Sequence, residues 1–253
     1  MELNILSIFL PATAIALVFY GVVFGNILFD KTMAAKSFIH VALLANIVVL
    51  AVIFVGFKRV PMGGFLEIGS ETALILGAIY GLLIPFDLKK LSLGLVGGCI
   101  VCLIVSLFGG MLPAPTLFTY VSWWQQFSVQ AHILAGGLLL FSLICYGTLI
   151  FGKNSPNVDP NEITGFARTG LIAAVLVFVL GILASQMWNF TVTGELLLWD
   201  KRMLMKYVLT CLLLLPLVSQ MTWFKAARNK YLFNSIAIAL VFLINLYEWG
   251  GLA

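Results

Sequence analysis

Charge is what this chain has least of. Lys and Arg number 14 and Asp and Glu 10 among 253 residues, 9% in all, where a soluble domain carries about a quarter. So few charges cannot clothe a water-facing surface, and a soluble fold is excluded. Histidine is scarcer still, with two copies, His40 and His132. The four cysteines all fall inside apolar runs, and the one C-x-x-C, Cys99 and Cys102, sits in a Gly- and Val-rich stretch with no His after it. Buried, unreactive thiols fit that setting better than redox or covalent haem chemistry. Repeats are lacking, and so is an acid at mid-membrane depth, which weighs against a two-repeat transporter. No nucleophile has a base nearby, so hydrolase chemistry is set aside. The basic residues are scattered in pairs at the ends of apolar runs rather than massed, which excludes a nucleic-acid surface.

What fills the chain instead is hydrocarbon. Hydrophobic residues make up 62%, and the mean hydropathy is +1.11. Crossing a bilayer takes about 20 apolar residues, and eight runs approach or exceed that length, at 5–29, 37–57, 69–86, 91–112, 127–151, 168–188, 203–223 and 232–250. The expectation is an all-α polytopic bundle of about eight transmembrane helices forming one integral-membrane domain over 1–253, in a bacterial inner membrane or its organellar equivalent. The first run has no basic segment ahead of it and reads as a retained helix rather than a signal peptide. Nine Lys and Arg fall on one side of this arrangement and five on the other. By the positive-inside rule both termini then lie on the outer side, with the loop that follows the sixth run.

That loop, WNFTVTGELLLWD from Trp188 to Asp200, is the main polar and aromatic interruption, and it belongs to a tryptophan-containing outer segment over 188–202. Trp123 and Trp124 precede His132 at the outer end of the fifth run, as an interfacial belt or as part of a site. His40 lies one turn inside the second run. An ionisable group there is expensive and usually faces a bundle interior; imidazole is also the usual axial ligand of membrane haem, and both readings stay open. Glu67 and Glu71 are one helical turn apart at the outer mouth of the third run, where the helix dipole favours acids. The stretch after the fifth run, GKNSPNVDPNEITGF, reads as a polar connection without chemistry.

Four segments resemble the CcsA/ResC-type cytochrome c assembly proteins, a membrane haem-handling family with HemX-like members. Pro61 to Ile68 is similar to the family's P-L-S-N-x-Y-E-S at the proline and at Glu67. Ala131-His132 and the residues through Leu140 resemble its outer H-V-S-M-M-I-L-S-Y-A-A-L-L. Ala184 to Trp188 with Leu198-Trp199-Asp200-Lys201 resembles its tryptophan-rich loop, and His40 its transmembrane histidine. The similarity spans about residues 35 to 250. It implies haem b held through His132, His40 or both, with Trp123, Trp124, Trp188, Trp199, Asp200 and Glu67 around the site, and a cytochrome c, its apo form or other membrane subunits as partners beside the lipid bilayer. The second histidine of each family pair has no counterpart: Val218-Ser219-Gln220 stands at one position, and the sequence given stops at Ala253 before the other. The expectation is therefore a haem site that is either single-histidine, completed by Met187, Met221 or a partner's side chain, or absent, and the incomplete pairs weigh against haem-lyase turnover. The alternative is a non-catalytic or electron-transfer subunit of a larger membrane complex, touching haem or quinone and keeping only the family scaffold.

Overall fold

The computed structural model describes residues 5–57, 65–86, 88–109, 122–151, 159–195, 201–218 and 226–249. These form α1 (Ile5–Leu28), α2 (Thr32–Phe57), α3 (Phe65–Leu83) with a 3-10 turn at Ile84–Phe86, α4 (Lys89–Gly109), α5 (Trp123–Phe151), α6 (Pro160–Thr193), α7 (Lys201–Val218) and α8 (Ala227–Trp249). Among the described residues there is no strand. Seven of the helices are long and apolar enough to cross a membrane. The seventh in order, α7, contributes a shorter apolar helix over Met203–Val218, and the rest of the expected 203–223 run lies outside the described residues. The exterior is as oily as the interior: Val18, Leu44, Val55, Leu176 and Leu240 are all exposed, as suits helices whose outer faces meet lipid tails rather than water.

The chain divides into two compact units, Met1–Leu117 with Trp249–Ala253, and Phe118–Glu248. In the first, α1 packs on α2 and α4, and α3 packs on α2 and α4. In lipid, helices gain little from hydrophobic association and rely on close fit and internal hydrogen bonds. Small residues supply both. Gly69 lets α3 lie against the Cys102 carbonyl and Ser106 of α4, and a Cβ there would fall 2.5 Å from that carbonyl oxygen. Ser106 Oγ donates to the Leu66 carbonyl at 2.5 Å and pairs with Ser70 Oγ at 2.8 Å. Asn46 Nδ2 of α2 donates to the Ser70 carbonyl at 3.2 Å. The turn from α1 to α2 carries Asp30 in the left-handed region, φ 59°, and Lys89 reaches it at 2.5 Å while also meeting the last carbonyl of α1, Leu28, at 3.4 Å. A lysine at a helix C-terminus answers both the open carbonyls and the negative end of the dipole.

In the second unit α5 and α6 run antiparallel along most of their length. Ser128 meets Ser185, His132 meets Gly181, and Phe141 and Ser142 meet Gly170. α7 packs on α6. α8 reaches both α5 and α6 through Tyr231, whose ring lies 6.0 Å from Tyr146 and whose hydroxyl lies 3.4 Å from Thr164 Oγ1.

Two boundaries differ from the sequence expectation. Half of the polar stretch after α5 is helical, because Asp159 accepts from the Asn161 amide at 2.9 Å with Pro160 behind it and Glu162 in the first turn; together these start a helix well before the apolar run begins. The expected loop from Trp188 is likewise helical as far as Thr193. α6 stops where Gly194 takes φ 76° and returns its amide to the Phe190 carbonyl at 3.0 Å, a left-handed cap that suits glycine.

A buried histidine in a three-helix polar cluster

His132 lies on the face of α5 turned to α6 and is 3% exposed. Its Nδ1–H donates to the Ser128 carbonyl, one turn back, at 2.6 Å. That bond sets the tautomer: the proton is on Nδ1, and Nε2 keeps its lone pair. Phe178 stands edge-on to the ring, centroid to centroid 4.9 Å and 76° between planes. Gly181 makes room for it, since a Cβ at that position would fall 2.7 Å from Cε1. The ring is thus fixed by α5 behind it and α6 beside it. Nε2 is buried with no hydrogen-bond partner.

Hydroxyls and one ammonium continue the cluster across to α7. Lys206 Nζ donates to Ser185 Oγ at 3.4 Å, Ser185 Oγ lies 3.0 Å from Ser128 Oγ, and Ser128 Oγ donates to the Gly181 carbonyl at 2.8 Å. Each hydroxyl has one proton to give, so the direction is determined: lysine to Ser185, Ser185 to Ser128, Ser128 to the carbonyl. Lys206 is half-buried. Beside it, Gln186 Nε2 donates to the Tyr207 hydroxyl, again joining α6 to α7.

The first unit also holds buried polar atoms without partners, Tyr20 Oη and Asn46 Oδ1. These are complementary, since a phenol can donate to an amide oxygen, and Asn46 is next to Tyr20. They can satisfy each other within the protein. His132 Nε2 is a buried acceptor without a hydrogen-bond partner, and such a group costs on the order of 1–3 kcal/mol when left unmet. Gln186 Oε1 and Ser235 Oγ, in the same unit, are likewise buried without a hydrogen-bond partner.

Of the residues singled out from sequence, His132 is the one in this cluster. Trp123 is 72% exposed and Trp124 is exposed beside it, at the start of α5. Trp188 is half-buried on the last turns of α6, and Met187 next to it is exposed. Trp199, Asp200 and Met221 lie outside the described residues. His40 and Glu67 belong to the first unit. Glu67 is buried in the first turn of α3, and Glu71 is buried one turn on. His40 does not turn inward: it is on the exposed face of α2, its Nδ1–H on the Lys36 carbonyl at 2.9 Å. Cys99 and Cys145 are buried as expected, Cys102 is half-buried, and Cys211 is exposed on α7.

No family model, no curated protein and no solved structure matches this chain. Its site is therefore described by its own geometry. Sequence patterns pass over Ser128, Ser185 and Lys206, although Ser128/His132 and Gly181/Ser185 are both four residues apart, the spacing that puts a polar or small pair on one helix face.

Proposed function

We propose that this chain is a haem-handling membrane protein similar to the cytochrome c assembly family, taking haem b iron on Nε2 of His132. One observation carries the reading: a buried imidazole whose Nδ1 is tied to the Ser128 carbonyl and whose Nε2 has no partner. A backbone bond on one ring nitrogen orients the other as a metal ligand and raises its basicity. An imidazole nitrogen is the usual axial ligand of a membrane haem iron. The partial resemblance of the segments around His132, Glu67 and Trp188 supports the same reading. Bound there, haem supplies the redox-active iron. The chain's own part is to orient the imidazole with Ser128, Phe178 and Gly181, and to keep water from it. Positioning and axial ligation are the protein's contribution to such chemistry.

The test is an absorbance spectrum of the purified protein loaded with haem b, beside His132→Ala and His40→Ala. We expect a Soret band that His132→Ala abolishes or shifts and that His40→Ala leaves in place. A wild-type protein with no Soret band, or one untouched by His132→Ala, would sink the reading.

A second reading, a subunit of a larger membrane complex, is favoured by His40. Its Nδ1 is tied back to its own helix, and its ring stands on an exposed face, where a partner subunit or its cofactor can reach it.

A further inference from the structure

An arginine on a lipid-facing helix surface is costly unless its guanidinium reaches the headgroup layer. The second unit has two exposed arginines on apolar helices, Arg168 of α6 and Arg228 of α8. Each heads a track of hydrocarbon at four-residue steps: Ile172, Leu176 and Leu180 behind Arg168, and Leu232, Ile236 and Leu240 behind Arg228, all exposed. Residues four apart share a helix face, so on each helix a cation stands over a lipid-facing apolar stripe. One contact brings the two heads together. Thr164 Oγ1 lies 3.4 Å from the Tyr231 hydroxyl, and each of these is the fifth residue of its helix. Arg168 is one turn beyond Thr164, and Arg228 one turn before Tyr231. The acids at this end, Asp159 and Glu162, lie in the cap and first turn of α6, and among the described residues neither pairs with Arg168 or Arg228.

We propose that Arg168 and Arg228 form the headgroup site of an anionic glycerophospholipid held where α6 and α8 begin. The guanidinium fork meets a phosphate through two parallel hydrogen bonds, a geometry that an ammonium lacks. A phosphodiester carrying two acyl chains repeats the pattern of the two helices, with its anion at the two cations and its tails along the apolar stripes. Basic pockets between transmembrane helices take anionic headgroups in this way. A protein segment on the same surface needs an acid of its own at the edge of the hydrocarbon, where acids are expensive. Bound there, the lipid ties α8 to α6 at the end where Tyr231 already joins them. The site is independent of His132 and of any haem.

Dissociation constants for phosphatidylglycerol and for zwitterionic phosphatidylcholine are measured by native mass spectrometry of the full chain in neutral detergent. The wild type is compared with Arg168→Gln, Arg228→Gln, Arg168→Lys and, as a charge control in the first unit, Lys36→Gln. A cation at the headgroup layer favours an anionic lipid about fivefold, so the wild type is expected to prefer phosphatidylglycerol by roughly twenty-fivefold. Each arginine-to-glutamine change cuts that preference about fivefold. Arg168→Lys cuts it in part although the charge is kept, and Lys36→Gln leaves it in place. Unchanged binding of phosphatidylcholine separates a lost phosphate contact from a damaged fold. The site is overturned if the wild type binds both lipids equally, if the preference survives both glutamine changes, or if a variant loses both lipids together. It is also overturned by a Lys36→Gln effect as large as those of the arginines, which means attraction to net charge alone. Glycerol phosphate competing as well as the lipid overturns it too, since the site then takes a free anion.

Discussion

The two histidines of this chain make the same local bond, Nδ1–H to the carbonyl four residues back, and differ in what surrounds the other nitrogen. At His132 that surrounding is packed protein, so small changes of volume should be felt there. A methyl at Gly181 would fall 2.7 Å from His132 Cε1, and one at Gly170 would fall 2.7 Å from Phe141 Cδ1, along the same α5–α6 interface. Overpacking of this kind costs about 1–3 kcal/mol. Both Gly181→Ala and Gly170→Ala are expected to lower the thermal unfolding midpoint in detergent by similar amounts. Only Gly181→Ala, which moves the imidazole, should also alter the spectrum of the haem-loaded protein. Equal spectral effects from both would mean that His132 is not the ligand. The histidine itself was legible in the sequence by its rarity. Ser128 and Ser185 were not, because a serine in an apolar run is just as often bonded to its own helix, as Thr13 and Thr148 are here.

Helix ends were harder to place than helix centres, and α6 shows why at both of its ends. The apolar run at 168–188 is what lipid requires, but helix formation follows caps rather than oiliness. Asp159 and Pro160 start α6 well ahead of the run, and Gly194 stops it beyond. An N-cap aspartate replaced by alanine costs about 1 kcal/mol, roughly a fivefold change in a local opening equilibrium. Asp159→Ala should accordingly speed amide hydrogen exchange in the first turn of α6 several-fold and leave the turns around Ser185 unchanged. Uniform acceleration along the helix would show that the cap holds more than its own turn. The tryptophan segment is affected most by these boundaries. Trp188 rides on a helix rather than a loop, so its position is set by the same α6 face that carries Gly181 and Ser185.

At the scale of the whole molecule, oily exposed faces on both units are satisfied by lipid tails or by another membrane protein. An exposed imidazole on α2 is not satisfied by lipid tails, and it supports the complex-subunit reading. Native mass spectrometry from a mild detergent extract should then find the chain in a stable assembly. A lone 27.7 kDa species, stable under conditions that preserve other membrane complexes, would count against that reading.

The sequence by itself determined the class of this protein. Apolar runs of about 20 residues, repeated along the chain with scarcely any charge, are helices with their backbone bonds closed internally. It also reduced the candidate ligands to two histidines, by rarity alone. Only the tertiary structure distinguished their settings, because burial and the fate of a ring nitrogen depend on which helix face meets which neighbour. It was the antiparallel match of α5 and α6, serine on serine and histidine on glycine, that enclosed one imidazole and placed a lysine from α7 beside it, while the other was left on an outer face.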